Sequence, residues 1–101
     1  MRIKFRAVLQ QVDEVIIKDD FQRQRILLEI PVYDTVTGDK IRTEHFPAAI
    51  LNKNIEKIKA SEMVGELCSA VCFLGSFKKE KGDEVWYNLS LNCVELDKFN
   101  R

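Results

Sequence analysis

The sequence predicts an all-β domain, a small five-stranded antiparallel barrel with one short helix. Five segments alternate apolar and polar residues with the two-residue period of a half-buried strand. Turn-forming residues separate these segments, with Gly38 and Gly82 at two of the hairpin connections. One stretch between the third and fourth segments instead repeats its apolar residues at helical spacing.

The composition fits a single folded domain covering residues 1–101. Hydrophobic residues make up 46% of the chain and charged residues 32%, which favours a packed core over disorder. Lys and Arg number 16, and Asp and Glu also number 16, so the formal net charge is zero. A uniformly basic nucleic-acid binder is therefore excluded, and any such role requires charge sorted onto one face.

The sequence contains no signal for export and no apolar run that would span a membrane. Asp13 and Glu14 interrupt the N-terminal segment before it reaches the length of a secretory signal. No run approaches the roughly 18 apolar residues of a membrane helix. We therefore expect a cytoplasmic protein that does not bind a membrane.

The three cysteines are predicted to be buried, reduced and free of metal. Cys68 and Cys72 are four residues apart, which is not the spacing of a redox or zinc motif, and the single His45 adds no fourth ligand. On one strand they would lie about 13 Å apart, beyond disulfide reach. Cys93 is on another strand, where it could meet one of them. We expect no disulfide, no metal and no cofactor.

The first two strands follow from long alternating segments. Residues 2–9 alternate, and the apolar pattern resumes at residues 15–17, which predicts one long bent strand or two pieces joined by a bulge. The second strand covers residues 21–33, and Pro31 within it has no N–H for the ladder, which places that side at an edge or a bulge. One phase of this strand comprises Gln22, Gln24, Ile26, Leu28, Ile30 and Val32.

A third strand at residues 40–51 leads into a helix predicted near residues 53–64. Asn52 or Asn54 is suited to cap the start of this helix, and Gly65 to end it. The apolar stripe of the helix consists of Ile55, Ile58 and either Met63 or Val64.

The fourth and fifth strands are predicted at residues 66–78 and 84–96, joined by a turn at Gly82. Their apolar phases are Leu67, Val71, Phe73 and Phe77 in the fourth strand, and Val85, Tyr87, Leu89, Leu91 and Cys93 in the fifth. We expect Phe46, Phe73 and Tyr87 to lie in the core. The resulting order, β-β-β-α-β-β with a helix closing one end, is typical of the OB-fold, a five-stranded Greek-key barrel.

No catalytic motif is present, so we expect no enzyme. The sequence has no phosphate-binding glycine loop, no nucleophile elbow and no zinc-protease motif. Its basic and aromatic residues instead match what single-stranded nucleic acid requires, namely cations for phosphates and flat rings on which bases stack. The predicted phosphate contacts are Arg6, Arg23, Arg25, Lys78 and Lys79, and the predicted stacking residues are Phe21 and Trp86.

An alternative interpretation needs no nucleic acid. Arg and Lys at alternating positions are also typical of a solvated sheet face. Trp86 is equally suited to a contact between subunits. The alternative function is therefore a protein–protein interaction or homo-oligomeric assembly module.

The chain resembles the OB-fold single-stranded-DNA-binding proteins, including small bacterial relatives of unknown function. The similar segments are the bent first strand, residues 46–58 (FPAAILNKNIEKI) and the hairpin at residues 77–91 (FKKEKGDEVWYNLSL). Gly82 and Trp86 match the family's glycine-bearing hairpin and the aromatic-rich strand that follows it. The long acidic tail by which bacterial members recruit partners has no counterpart here, which argues against a role as the main cellular hub.

The residues and the resemblance together predict a non-enzymatic, sequence-tolerant binder of single-stranded DNA. Single-stranded RNA remains the alternative ligand. The expected setting is replication, repair or the processing of mobile elements, and the expected state is a homo-oligomer, either a dimer or a tetramer.

Overall fold

A computed structural model describes residues 1–99, and within them five strands close into a barrel in the order β1-β2-β3-β5-β4. The strands are β1 (Arg2–Lys18), β2 (Phe21–Tyr33), β3 (Lys40–Leu51), β4 (Leu67–Lys81) and β5 (Glu84–Lys98), and the helices are α1 (Lys53–Ile58) and a 3-10 helix (Ala60–Met63). This all-β barrel, with its short helical segment between β3 and β4, confirms the predicted OB-type fold class.

The first strand is continuous and bulged. Its register against β2 shifts between Leu9 and Gln11, and again between Val12 and Val15. Residues 2–8 pair with β4, whereas residues 8–18 pair with β2. The bulges bend β1, so that its first half pairs with β4 and its second half pairs with β2. This double pairing lets a small barrel close without an unpaired edge.

The core lies inside the barrel and under the helical segment. The predicted inward phase of β2 is confirmed at Gln24, Ile26 and Leu28, which are all buried. Met63 completes the helical stripe, and Val64 is exposed. The core cluster contains Ala7, Leu9, Ile26, Leu28, Ala48, Ile50, Ile55, Ala60, Met63, Cys68, Ala70, Cys72, Cys93 and Leu96.

The helix predicted near residues 53–64 is broken into two short pieces. Lys59 adopts a left-handed conformation (φ 53°, ψ 55°) between α1 and the 3-10 helix. Asn52 occupies the N-cap position, but its side chain does not cap the helix. Asn52 Oδ1 instead accepts a hydrogen bond from the Gln22 backbone N–H at 3.0 Å, which ties the end of β3 to the start of β2.

The predicted apolar phase of β4 is buried at Val71, but it is exposed at Leu67, Phe73 and Phe77. Its inward side chains are the small ones, Cys68, Ala70 and Cys72, whereas Phe73 and Phe77 are 46% and 47% exposed. The segment carries apolar residues in both phases, so alternation could not distinguish the inner face from the outer one. Small inward side chains suit this wall because the interior of a five-stranded barrel is narrow.

Beyond the barrel, β4 and β5 continue as a two-stranded arm, residues 75–89, in which every residue is exposed. The core position predicted for Tyr87 is therefore wrong, since this side chain is 75% exposed and Leu89 is 76% exposed. Tyr87 and Leu89 have the same phase as the inward-facing residues of β5 in the barrel. Beyond the barrel, however, no other strand within residues 1–99 lies opposite their side chains. Phe46 is half-buried and packs against the core, as expected.

The arm ends in a two-residue turn at Gly82 and Asp83, with Lys81 paired to Glu84. Gly82 has a φ of 63°, the left-handed region that the first position of a type II′ hairpin turn requires. The pairing continues without a shift from this turn to Cys72 and Cys93. The turn therefore fixes which side chains share each face of the arm.

Candidate nucleic-acid interface

A groove of about 470 Å³ lies between the outer face of β2 and β3 and the root of the arm. Phe21, Arg23 and Arg25 line its β2 side, and residues 47–49 with Leu51 line its β3 side. Phe77 and residues 89–92 form the opposite wall. The residues that line the groove include no Asp or Glu. Among residues 1–99, the charged side chains that line this groove are Arg23 and Arg25.

The period of β2 places Phe21, Arg23 and Arg25 in one row. They occupy the outward phase, at intervals of about 7 Å, while Gln24 and Ile26 point into the barrel. Among residues 1–99, neither arginine of this row forms an ion pair. Both positive charges therefore remain available to an anionic ligand, and the half-exposed ring of Phe21 stands at the end of the row.

One face of the arm continues the groove. Phe77 lies opposite Asn88, and Lys79 lies opposite Trp86, so Phe77, Lys79 and Trp86 share the face that we term the basic aromatic face. Lys79 Nζ is 6.0 Å from the centroid of the Phe77 ring. Lys79 and Trp86 also line a shallow depression near the tip of the arm. Because Phe77 lines the groove as well, it joins the β2 row to the arm.

Phe77 also lines the groove, and sequence reasoning gives it no binding role because it belongs to the apolar phase of β4. A signal was nevertheless present. A two-residue turn at Gly82 and Asp83 places Phe77 an even number of pairs from Lys79 and Trp86, and hence on their face.

Two of the predicted phosphate contacts, Lys78 and Arg6, lie outside the groove and the basic aromatic face. Lys78 pairs with Tyr87 on the other face of the arm, and its Nζ lies 2.7 Å from Glu80 Oε1. Arg6 pairs with Ser69 in the ladder between β1 and β4. Phe21, Arg23 and Arg25 therefore line the groove, Lys79 and Trp86 lie on the face of the arm that Phe77 shares, and Lys78 and Arg6 lie on other surfaces.

Arg6 has a partner of its own. Its guanidinium carbon lies 3.9 Å from the centroid of the Phe99 ring, within cation–π distance. The Phe99 backbone N–H donates to Leu67 O at 2.8 Å, which holds the ring in place. Arg6 thus stabilises the end of β5 on the β1–β4 side of the barrel, away from the groove.

The second face of the arm is apolar. Leu74 pairs with Leu91, and beyond them Leu89, Tyr87 and Val85 follow on the same face, which we term the apolar face. At its root, a depression of about 380 Å³ is lined by Ile3, Phe46, Pro47, Leu74, Leu89 and Leu91. The two faces of one hairpin therefore differ, because Phe77, Lys79 and Trp86 share one face, whereas Leu89, Tyr87 and Val85 share the other with the ion-paired Lys78 and Glu80.

No group of three or more His, Cys, Asp or Glu side chains within residues 1–99 is placed to hold a metal ion. In the same part of the chain, neither helical segment has the length and apolarity needed to cross a bilayer.

The barrel and its strand order place the chain in the OB-fold class. The small single-stranded DNA-binding protein from Streptomyces coelicolor superposes with a TM-score of 0.67 and 12% identity, over 98% of this chain and 94% of that chain. The Plasmodium falciparum SSB, solved in complex with ssDNA, gives a TM-score of 0.63 and 13% identity, with the same coverage of 98% and 94%. At such identities the likeness establishes the fold. No protein-family model and no curated protein matches the sequence.

Proposed function

We propose that this protein is a non-enzymatic, sequence-tolerant binder of single-stranded DNA. The observation that carries the proposal is the carboxylate-free groove, in which Phe21, Arg23 and Arg25 form one row. The likeness to two solved single-stranded DNA-binding proteins supports it at the level of the fold. Such binding serves replication, repair or the processing of mobile elements.

In the proposed mechanism, the strand crosses the groove and continues along the basic aromatic face of the arm. Arg23, Arg25 and Lys79 neutralise phosphates, and bases stack on Phe21, Phe77 and Trp86. Stacking contributes about 1–3 kcal/mol per base and tolerates any base, because every base has a π-face. Contacts to phosphates and rings carry no hydrogen-bond code, so the affinity depends little on sequence.

Salt dependence tests the charge part of the proposal. Contacts from Arg23, Arg25 and Lys79 would each contribute about −0.7 to the slope of log K against log salt for a single strand, so a slope of roughly −2 is expected. Fluorescence anisotropy with labelled oligo-dT at several salt concentrations measures it. Absence of binding below roughly 100 μM at low salt would overturn the proposal.

A matched pair of arginine variants locates the contact. Arg25→Ala removes a groove cation and should weaken binding while making the slope shallower by about 0.7. Arg6→Ala removes a cation that already covers Phe99, and it should leave the slope unchanged. Equal slope changes in the two variants would place the DNA path across β1 instead. A parallel titration with oligo-rU distinguishes a DNA-specific protein from one that binds either nucleic acid.

The apolar face of the arm favours a second function, assembly with another copy of this chain. A two-stranded hairpin is marginally stable alone in water. Burial of Leu89, Tyr87 and Val85 against another copy of the chain would therefore stabilise the arm. The apolar depression at the root and the protruding Leu89 occur on the same molecule. A two-fold pair of copies can therefore bury both at once, because a two-fold interface presents the same patch from each side.

Sedimentation or light scattering tests this assembly. We expect a homo-oligomer, with a dimer as its unit, and we expect Leu89→Glu to shift it toward the monomer. Because Leu89 also lines the groove, the control for DNA binding is Tyr87→Glu, which is on the apolar face outside the groove and should keep the slope of oligo-dT binding close to that of the native chain. A wild-type chain that remains monomeric at high micromolar concentration would refute assembly through this face.

A further inference from the structure

Two cysteines face each other across β4 and β5 where the arm leaves the barrel. Cys72 pairs with Cys93 in the antiparallel ladder, and their side chains are 0% and 1% exposed. The register shift between Val71 and Cys72 lies immediately next to this pair. The arrangement combines two thiols of the same inward phase at a point where the ladder is already irregular.

The register identifies which kind of cross-strand pair this is. Lys81 and Glu84 close the two-residue turn, and a hydrogen-bonded pair closes such a turn. Hydrogen-bonded and non-hydrogen-bonded pairs then alternate without a shift down to Cys72 and Cys93, which fall in the non-hydrogen-bonded class. The Cα atoms of such a pair are about 4.5 Å apart, within the separation that a disulfide spans.

The two thiols also interact. A hydrogen bond between the side chains lowers the pKa of Cys72 and raises the pKa of Cys93, to which burial adds. The Cys93 thiol also donates to the Glu95 backbone O at 3.3 Å, and Cys72 is the sulfur that carries negative charge more readily. Cys72 is the better nucleophile for thiol–disulfide exchange, and Cys93 is positioned to resolve the product.

We propose that Cys72 and Cys93 form a dithiol modification site, which a small-molecule disulfide such as oxidised glutathione converts to an intramolecular disulfide at the root of the arm. Cys72 attacks one glutathione sulfur, and the first glutathione leaves as a thiol with the Cys72 proton. Cys93 then attacks the Cys72 sulfur, and the second glutathione leaves with the Cys93 proton. Two protein thiols are oxidised, and one glutathione disulfide is reduced to two thiols.

Access to the buried pair requires an opening that begins in the arm and extends past its root through the Leu74–Leu91 and Phe73–Asn92 pairs. Residues 75–89 are exposed on both faces, so separating their strands exposes little further apolar surface. Local openings of this kind require less free energy than global unfolding. The new bond would cross-link the strands at the base of the arm and restrict that opening, independently of whether the arm binds DNA.

Cys68 provides the internal comparison. It shares the inward phase of Cys72 and is equally buried, but it pairs with Lys98, and its thiol donates to Glu66 O at 3.5 Å. Along the strand it lies about 13 Å from Cys72, beyond the reach of a disulfide. Burial raises the pKa of Cys68, so its thiol is also the poorer nucleophile. Oxidation should therefore leave Cys68 as a free thiol.

The experiment incubates the full chain with excess oxidised glutathione, then denatures and alkylates it without reduction. We expect a fall from three free thiols to one, a loss of two hydrogens in mass and a peptide cross-link between residues 72 and 93. The oxidised chain should melt several degrees higher than the reduced chain, because the cross-link restrains the unfolded state.

Variants make the result specific. Cys68→Ser should form the same cross-link, whereas Cys93→Ser and Cys72→Ala should form none and retain the remaining thiols or a mixed disulfide with glutathione. Circular dichroism confirms that each variant is folded before oxidation. Three thiols that persist in the native chain, a cross-link that includes Cys68, or only intermolecular cross-links would each overturn the proposal.

Discussion

The arm is a continuation of β4 and β5, two of the five strands of the barrel, yet one alternating pattern of apolar residues is buried in the barrel and exposed in the arm. In β5 the alternating apolar phase runs from Val85 to Cys93 without interruption. Cys93 is buried in the core, whereas Leu89 and Tyr87, two and four pairs farther from the core than Leu91, are largely exposed. Alternation therefore reports the pleat of a strand, and burial requires in addition an opposing wall.

The largest expected effect is the difference in unfolding free energy lost when a leucine is truncated in the barrel or in the arm. Leu28→Ala empties a fully buried position in the barrel and should lower the free energy of unfolding by about 2–5 kcal/mol. Leu89→Ala makes the same chemical change on the exposed arm and should stay within about 0.5 kcal/mol. Urea unfolding at low protein concentration compares them. Similar losses in both variants would mean that the arm belongs to the barrel's cooperative unit.

The next effect is the difference in DNA affinity lost when an aromatic residue is removed from one face of the arm or from the other. Trp86→Ala should weaken oligo-dT binding by about 1–3 kcal/mol without changing the salt slope, because stacking releases few counterions. Tyr87→Ala, one residue along and on the apolar face, is the matched control and should change affinity little. A larger loss for Tyr87→Ala would place the DNA on the other face.

A smaller effect tests whether the arm opens independently. Gly82→Ala forces a side chain into a left-handed conformation at the tip, at a local cost of about 1 kcal/mol. If the arm opens alone, its amides should exchange several-fold faster, while the amides of the core strands keep their protection. Hydrogen exchange followed by NMR reads both regions in one experiment. Uniform acceleration across both would show a single cooperative unit.

The smallest effect concerns the loop between β2 and β3, another exposed connection. Asp34 Oδ1 accepts the backbone N–H groups of Thr37 and Val36 at 2.9 and 2.7 Å, which lowers the pKa of Asp34 below 3.8. Because the folded pKa is depressed, the stabilisation is present above the unfolded pKa and is lost as pH falls through the folded value. NMR titration of Asp34 should show this shift, and Asp34→Asn should remove the corresponding pH dependence. A pKa at or above 3.8 would contradict the hydrogen-bonded turn.

The sequence was sufficient where structure depends on neighbours in the chain. The bounds of β2, the bulged β1 and the row of Phe21, Arg23 and Arg25 all follow from alternation within a single strand. The hairpin at Gly82 follows from local turn chemistry. These features need no knowledge of the barrel's closure, and they were predicted.

The predictions that differ from the structure share one cause, because the burial of a residue depends on contacts that are distant in sequence. Phe73 and Tyr87 were assigned to the core because they are large and apolar, but small cysteines and alanines line the narrow interior of β4. The separation of Arg6 from the groove follows from its pairing with β4 and from the distant Phe99. A single strand cannot encode either outcome, because both depend on which strands become neighbours.

The length of the arm means that a small tilt at its root would produce a large displacement at its tip. Seven residue pairs from Gly75 to Lys81 extend it about 20 Å from its root, since each pair adds about 3.3 Å. A tilt of 10° at the root would therefore carry the tip through about 3–4 Å, a distance comparable to one residue's rise along a strand. A change of a few degrees at the base would therefore alter the position of Lys79 and Trp86 relative to the row of Phe21, Arg23 and Arg25 on β2.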